Sequence, residues 1–415
     1  MKVLVIGSGG REHALVWKLA QSPGTAVFAA PGNPGMAGAA TCLAAKGGDP
    51  AEWLAVAEEI DADLTVVGPE APLVAGVVDM FRARGRRIVG PGRQAACLEG
   101  SKVFAKNFLT QRKIPTAAFV TVENETDARR ALDRFGFPVV LKADGLAAGK
   151  GVVVAQDRAQ AEEALGGLRG RLVIEEFLRG EEVSFIALCD GRDVVPLAAT
   201  QDHKAVFDGD RGPNTGGMGA YCDAAILSER QAEDILNHVI YPTVEATGFT
   251  GFLYAGMMIT AEGPKVLEFN VRLGDPETQP LMHRMSGDFV PALMAAAEGR
   301  LSGTRLEWRV GPSVCVVMAS AGYPGAYQTG KAINGIADAE ARGAVVFHAG
   351  TRLGAHGLET AGGRVLGVTA GGDDLPSAIG RAYAAVEAIH FEGAHFRHDI
   401  GRKGLARYNE GNVGT

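Results

Sequence analysis

Cysteine is scarce in this chain. The five cysteines, Cys42, Cys97, Cys189, Cys222 and Cys315, are odd in number, widely scattered and never in a Cys-x-x-Cys pair. That pattern argues against a disulfide framework and against a zinc site. Several stand in apolar strands, where cysteine behaves as a small hydrophobe, and no local motif would activate a catalytic thiol. The nearest approach to a histidine cluster, His390, His395 and His398, lacks zincin spacing and reads as a solvated face. Long apolar runs are missing as well: nothing approaches the roughly 20 residues of a membrane span. Met1 to Gly7 is a strand entering a glycine turn, without the features of a cleavable leader, so a cytoplasmic protein is expected. Positive charge is not in excess either. With 41 Lys and Arg against 48 Asp and Glu the net charge is −7, which offers no general attraction for nucleic acid or an anionic membrane. The densest basic run, Arg82, Arg84, Arg86 and Arg87, reads as a solvated helix end favoured by the dipole.

What remains is 415 residues, 47% hydrophobic and 21% charged, enough for roughly two to four globular domains. The first hundred residues alternate short apolar strands (Val3–Gly7, Val27–Ala30, Leu64–Gly68, Ile88–Gly90) with helical segments, the mark of an open parallel α/β sheet. A second pattern begins near Lys102. It holds a small α+β unit at about 114–184, then strands Val183–Cys189 and Phe252–Ile259 separated by a polar loop, Gln201–Tyr221. Beyond Gly303 the pattern resets, with strands Ser313–Ala319, Val345–Ala349 and Val365–Thr369 and a helix around Leu375–Ile389. The expected domains are 1–100, 101–302 with a lid at about 114–184, and 303–415.

Five segments carry chemistry. In Val266 to Glu277, Glu268, Asn270 and Arg272 alternate with apolar residues and so share one face of a strand. A carboxylate and an amide oxygen so placed suit a hard ion such as Mg²⁺, and Arg272 offers a planar fork for a carboxylate or phosphate. Gly274 and Pro276 then put Asp275 and Glu277 on a loop at the strand's end; the plain alternative is a solvated strand edge and a turn. Val139 to Val154 reads as strand, glycine-rich loop and strand, with Lys142 and Lys150 supplying charge for phosphates. It is not a Walker A loop, which opens a helix; it would fold over a nucleotide as a flap, or be merely a mobile turn. Val173 to Leu178, followed by Glu181 and Glu182, suits a hinge that holds adenine through the backbone and ribose through a carboxylate, if not a solvated strand end. At the amino terminus Glu12 replaces the third glycine of a dinucleotide fingerprint, which leaves a phosphate at the helix start as the better reading. The long glycine-rich stretch Gln201–Lys204 and Gly212–Ala220 points to function rather than to a connector.

The order of flap, Glu-Glu-Phe-Leu and Glu-x-Asn resembles the ATP-grasp fold. The wording of the motifs is similar to that of the phosphoribosylamine–glycine ligase family. Those motifs stand here as Gly9–Ala14, Val67–Leu73, Leu98–Lys102, Lys142–Gly151, Gln201–Lys204, Gly212–Tyr221 and Arg272–Gln279. The resemblance implies an α/β ATP-grasp enzyme with an amino-terminal open parallel domain, an inserted lid and a carboxyl-terminal α+β domain. It implies the ADP-forming ligation of glycine to 5-phosphoribosylamine through an acyl phosphate, in purine biosynthesis. Lys102, Lys142 and Lys150 would meet ATP phosphates under the Gly145–Gly151 flap, which includes Gly149. Glu175, Phe177 and Leu178 would hold adenine and Glu182 ribose. Glu268 and Asn270 would ligate Mg²⁺ (or Mn²⁺), Arg272 would orient the glycine carboxylate or transferring phosphoryl, and Asp202 the glycine ammonium. Gly9, Gly10, Asn33, Glu70, Asn214 and Asp275 would surround phosphoribosylamine. A monomer is expected, with neither nucleic acid nor membrane as partner and with transient contacts to neighbouring pathway enzymes.

There are departures from the family pattern. The loop 166–172 is short, Ala205 stands where arginine is common, and Leu273 where phenylalanine is common. Two rivals remain: another ATP-grasp ligase or carboxylase, and a non-catalytic nucleotide-binding protein. The joined Gly-Pro-Asn-Thr-Gly-Gly-Met-Gly and Arg-Leu-Gly-Asp-Pro-Glu motifs argue against the first. The lysines, flap and metal ligands together argue against the second.

Overall fold

The computed structural model describes residues 1–146 and 151–410. A parallel five-stranded sheet opens the chain, in the order Thr41–Cys42, Ala26–Pro31, Lys2–Gly7, Leu64–Val67, Ile88–Val89. Val3, Leu4, Val5 and Ile6 are buried on both faces of it, which is why they read as an unbroken apolar run. The chain leaves the central strand Lys2–Gly7 toward opposite sides of the sheet, Ala26–Pro31 on one and Leu64–Val67 on the other. A crevice therefore opens at the carboxyl ends of the two, where helices Gly10–Leu19 and Glu70–Ala75 begin.

The lid is an antiparallel sheet in the order Phe119–Val122, Leu172–Glu176, Val139–Ala143, Val152–Ala155. Helices Glu125–Leu132 and Arg158–Gly167 cover it, and Ala128, Leu132, Leu141, Ala161, Leu165 and Ile174 close a core of its own.

A large antiparallel sheet carries the rest of the site. Its order is Gly263–Asn270, Thr250–Thr260, Glu181–Asp190, Thr200–Asp202, Gly219–Cys222, Ser313–Ala319, Arg364–Gly371, Val345–His348. The pattern break near Gly303 is therefore not a break in the sheet: Gly219–Cys222 pairs directly with Ser313–Ala319, Ala220 opposite Cys315.

Two sequence expectations need correction. Gln201–Tyr221 is not one loop. Thr200–Asp202 and Gly219–Cys222 enter the large sheet, while Ala205–Phe207 and Arg211–Asn214 form a hairpin. Strands of three or four residues interrupted by glycine are too short to show an alternation. Arg272 is not on the strand with Glu268 and Asn270, because Gly263–Asn270 ends at Asn270. A bulge at Leu267 precedes that end: Gly256 faces Glu268 and Met257 faces Val266. The helical stretch Glu229–Ile235, Leu236–Ile240, Tyr241–Thr247 was unread in the sequence, since Pro242 interrupts its pattern.

Candidate active site

The lid and the large sheet meet over a set of lysines. Lys142, on the lid strand Val139–Ala143, donates from Nζ to the carbonyl of bulged Leu267 at 2.9 Å. The same Nζ stands 2.5 Å from Glu175 Oε1, and Lys106 Nζ stands 2.5 Å from Glu175 Oε2. All three side chains are buried. The Glu175 carboxylate is spent on two lysines, so only its backbone is left for a ligand, whereas Phe177 at the strand's exit is exposed and Leu178 buried. Lys106 was missed in the sequence; it lies on the buried face of helix Lys102–Gln111 and reads there as an ordinary helix lysine.

Lys102 Nζ donates to the carbonyl of Gly145 at 2.8 Å. Asp144 fixes the start of the flap, accepting from Ser101 Oγ at 2.8 Å, Val103 N–H at 3.2 Å and Arg171 Nη2 at 2.7 Å. Gly145 adopts φ +95°, open to glycine and costly for other residues. Gly151 closes the flap, its carbonyl accepting from Ala143 N–H at 2.8 Å. Gly149 and Lys150 lie outside the described residues.

Below the lysines is a group of acids. Lys204 pairs with Glu182, and its Nζ is 3.6 Å from Glu268 Oε1. Burial works to raise the Glu268 carboxyl, but Lys204, Lys142, Lys102 and Arg272 outweigh it and hold the group down to about 2. Asp202 is raised, by burial first and then by Glu277, Glu182 and Glu268, with Lys204 opposing. Glu277, not among the predicted ligands, accepts from Tyr254 Oη at 2.8 Å and from Ser184 Oγ at 3.3 Å. Glu268 and Asn270 present two hard oxygens on one face. Among the described residues no set of three or more His, Cys, Asp or Glu is placed to hold a metal. Phosphate and water oxygens commonly complete the shell of Mg²⁺ where a protein supplies only one or two oxygens.

Arg272 adjoins this group. Its Nη2 donates to Glu99 Oε1 at 2.7 Å and to Asn270 Oδ1 at 3.0 Å, and its Nη1 to the carbonyl of Leu273 at 3.2 Å. Its Nε is buried, has no hydrogen-bond acceptor, and lies 3.5 Å from Glu70 Oε2. Glu99, unassigned in the sequence although inside a family motif, also accepts from Val271 N–H at 2.7 Å. Burial raises the Glu99 carboxyl, with Arg272 pulling the other way.

The amino-terminal crevice faces Asp275. A Cβ built on Gly9 would lie 3.5 Å from Asp275 Oδ2, and one on Gly10 would lie 2.6 Å from Gln279 Nε2. Arg11 reaches across the same gap, donating to the carbonyl of Leu273 at 3.1 Å. Asp275 accepts from Gln279 Nε2 at 2.9 Å and pairs with Arg364 at 3.2 Å. Arg364 also donates to the carbonyls of Asp275 at 2.6 Å and Gly216 at 2.7 Å. Burial raises Asp275, yet Arg364 and Arg11 bring it below its ordinary range. Glu70 is lowered likewise, Arg272 and Arg11 overcoming its burial. Asn33 is fully engaged: Nδ2 donates to the carbonyls of Ser8 and His348, both at 2.8 Å, and Oδ1 accepts from Gly35 N–H at 3.0 Å. Asn214 is exposed on the hairpin strand Arg211–Asn214.

Family profiles match almost the whole chain: the N domain of phosphoribosylglycinamide synthetase at 1–99, its ATP-grasp (A) domain at 100–278 and its C domain at 313–403. The phosphoribosylamine–glycine ligase of Ralstonia nicotianae is 50% identical, over 98% of this chain and 100% of that protein. The crystal structure of the Thermotoga maritima phosphoribosylamine–glycine ligase superposes with a TM-score of 0.84 at 34% identity, covering 96% of this chain and 100% of that one. The biotin carboxylase domain of Hydrogenobacter thermophilus 2-oxoglutarate carboxylase, solved with MgADP, has a TM-score of 0.71 at 18% identity, covering 95% of this chain and 91% of that one. It shares the fold. The chain belongs to the phosphoribosylamine–glycine ligase family of ATP-grasp enzymes, which join glycine to 5-phosphoribosylamine in purine biosynthesis.

Proposed function

We propose that the ligation runs at the junction of lid, large sheet and amino-terminal crevice, with the ionised Glu268 as its electrostatic centre. The observation that carries this reading is the convergence of cations on one carboxylate: Lys204 Nζ lies 3.6 Å from Glu268 Oε1, Lys142 Nζ donates to the carbonyl of neighbouring Leu267 at 2.9 Å, and with Lys102 and Arg272 they hold the carboxyl low. Such a group binds a hard cation while the surrounding lysines receive phosphate oxygens. ATP enters under the flap, its phosphates on Lys102, Lys142 and Lys150, its adenine on the backbone at Glu175 and beside Phe177 and Leu178, its ribose on Glu182. Glu268 and Asn270 would hold Mg²⁺, with Mn²⁺ as an alternative, and the ion would supply neutralisation of phosphate charge.

Glycine lies between Asp202, which takes its ammonium, and Arg272, whose Nε has no hydrogen-bond acceptor and stands 3.5 Å from Glu70 Oε2. A carboxylate is a poor electrophile, so its oxygen attacks the γ-phosphorus, ADP leaves, and glycyl phosphate remains. The amine of phosphoribosylamine then attacks the acyl carbon, phosphate departs, and the nitrogen loses a proton. Gly9, Gly10, Glu70 and Asp275 line the approach of phosphoribosylamine. Asn33 acts by shaping the turn, since its polar atoms are all in use. Asn214 would join only if its hairpin closed over the substrate. Most of the rate enhancement comes from positioning and charge neutralisation.

The units 1–100, 101–302 and 303–415 serve as substrate, nucleotide and closing domains of a cytoplasmic monomer, open to transient contact with neighbouring enzymes of the pathway. No helix among the described residues is long and apolar enough to cross a membrane. The test is ADP release with both substrates and with each omitted in turn. ADP formation that requires glycine is expected; ADP formation independent of glycine overturns the reading.

A further inference from the structure

The last described helix, Arg402–Glu410, lies against the back of the nucleotide strands. Arg407 Nη1 donates to Tyr221 Oη at 2.8 Å, and Arg407 also pairs with Glu181. Tyr221, fully buried, donates to Gln201 Oε1 at 2.5 Å. Gln201 Nε2 donates in turn to Glu181 Oε1 at 3.0 Å and to the carbonyl of Glu182 at 2.7 Å. Arg407, Tyr221, Gln201 and Glu181 thus form a closed ring, and among the described residues its one outward side-chain bond fixes the backbone of Glu182.

The helix is seated for this contact. A Cβ on Gly404 would come 2.9 Å from Tyr221 Oη and 2.5 Å from Leu375 Cδ2, so the backbone passes over the tyrosine with no room for a side chain. Tyr408 Oη donates to Asp223 Oδ2 at 2.7 Å, and Leu405 packs on the core. Upstream, buried Arg397 donates from Nη1 to the carbonyl of Ala205 at 3.1 Å and to Asp210 at 2.9 Å. Asp202 and Lys204 lie in the short stretch between the points that the two arginines hold.

We propose that Arg407 is a positioning residue for the nucleotide site, acting through Tyr221 and Gln201 on the backbone of Glu182. The proposal rests on the assignment of Glu182 to the ATP ribose. A side chain that orders a buried polar ring limits how far the groups attached to it can drift, and a ring left half-satisfied loses that order. Lysine in place of Arg407 can keep the charge on Glu181 but lacks the fork that also reaches Tyr221.

The test compares wild type, Arg407→Met, Arg407→Lys, Tyr221→Phe and Glu182→Gln in the full chain. Titration calorimetry with MgADP and KM values for ATP and phosphoribosylamine are measured alongside melting temperatures. Arg407→Met should weaken MgADP binding and raise KM for ATP by about tenfold, the effect of one lost charge-assisted hydrogen bond. KM for phosphoribosylamine should stay within about twofold, because Gly9, Gly10 and Asp275 touch none of the ring. Arg407→Lys should recover part of the loss. Tyr221→Phe should weaken binding by less than Arg407→Met, and the two together no more than Arg407→Met alone, as expected of partners in one network. A lower melting temperature with unchanged nucleotide affinity in Arg407→Met overturns the proposal, as does an equal rise in all KM values. Glu182→Gln separates the premise: wild-type MgADP affinity in that variant removes the ribose assignment, whatever Arg407→Met does.

Discussion

Lys204 stands between Glu182 and Glu268, its Nζ 3.6 Å from Glu268 Oε1, where a single ammonium serves two carboxylates. Glu277 adds negative charge to the same region, and together with burial, Glu182 and Glu268 it raises Asp202. Lys204→Met removes the nearest cation and leaves these acids to repel one another, a cost that a divalent ion can offset. The variant should melt lower than wild type in metal-free buffer and recover in millimolar Mg²⁺, with wild type responding much less. Differential scanning fluorimetry in the two buffers checks this; an identical Mg²⁺ response in both proteins would sink it.

Glu268→Gln keeps shape and hydrogen-bonding capacity but removes the charge. Turnover should fall on the order of a thousandfold, the scale of losing a preorganised electrostatic group. The melting temperature should fall modestly, since the neighbouring cations lose a favourable charge while the side chain fills no core. Near-wild-type ADP release from this variant would refute the metal role.

The pair Arg272–Glu99 gives a prediction in which activity and stability separate. Arg272 serves Glu99, Asn270 and the Leu273 carbonyl at once, a geometry that a lysine cannot copy. Arg272→Lys should therefore lose at least about a hundredfold in turnover with modest loss of stability. Glu99→Ala strips a buried guanidinium of its partner and should cost about 3 kcal/mol in urea unfolding. Equal stability losses in the two variants would contradict this division.

Acid should destabilise the fold through its buried histidines. Burial first, then neighbouring His348, lowers His13 from 6.5 to about 3; burial lowers His348 to about 4. Burial also lowers His203 to about 3 and His283 to about 4, with nearby arginines or lysine adding to it. Each is neutral in the folded chain and takes up a proton on unfolding at lower pH. Their contribution is complete above about 6.5 and is lost as pH falls toward 3 to 4. His13 Nδ1 accepts from His348 N–H at 2.7 Å, and an asparagine oxygen can take over that bond without titrating. His13→Asn should make the fall in melting temperature between pH 6.5 and pH 5 shallower. An unchanged slope would rule out His13 as a contributor.

The sequence disclosed what short-range pattern can carry. Lys142 and the flap are visible because two apolar runs flank a glycine-rich loop. Glu268 and Asn270 are visible because a strand repeats every two residues. The Glu175 side chain anchors Lys142 and Lys106, a fact set by pairing between lid strand and helix rather than by spacing. Asn33 comes to phosphoribosylamine by the resemblance alone, and its partners, the Ser8 and His348 carbonyls and Gly35 N–H, are set by tertiary packing that no local pattern reveals. Glu99, Arg364 and Arg407 reach the site from elements far along the chain, each inside an ordinary helix or strand. Charge alone does not distinguish such residues from solvated ones.

Arg364 makes that long-range dependence measurable. It sits at the start of strand Arg364–Gly371, yet it binds Asp275 through side chain and backbone and holds the Gly216 carbonyl. Beside it Gly217 takes φ +113°, where a Cβ would fall 2.4 Å from Pro276 Cδ. Arg364 therefore joins two motifs some sixty residues apart, both of which line the proposed phosphoribosylamine approach. Arg364→Met should free them together and raise KM for phosphoribosylamine by about tenfold, the weight of one charged hydrogen bond. MgADP affinity, which depends on the opposite side of the cleft, should hold within about twofold of wild type by the near-additivity of distant sites. Arg407→Met should give the mirror result, weakening nucleotide and sparing phosphoribosylamine. Steady-state kinetics and MgADP calorimetry on both variants decide it: parallel losses in the two ligands would mean that the carboxyl-terminal unit supports the cleft only as a whole, and that neither arginine belongs to one subsite.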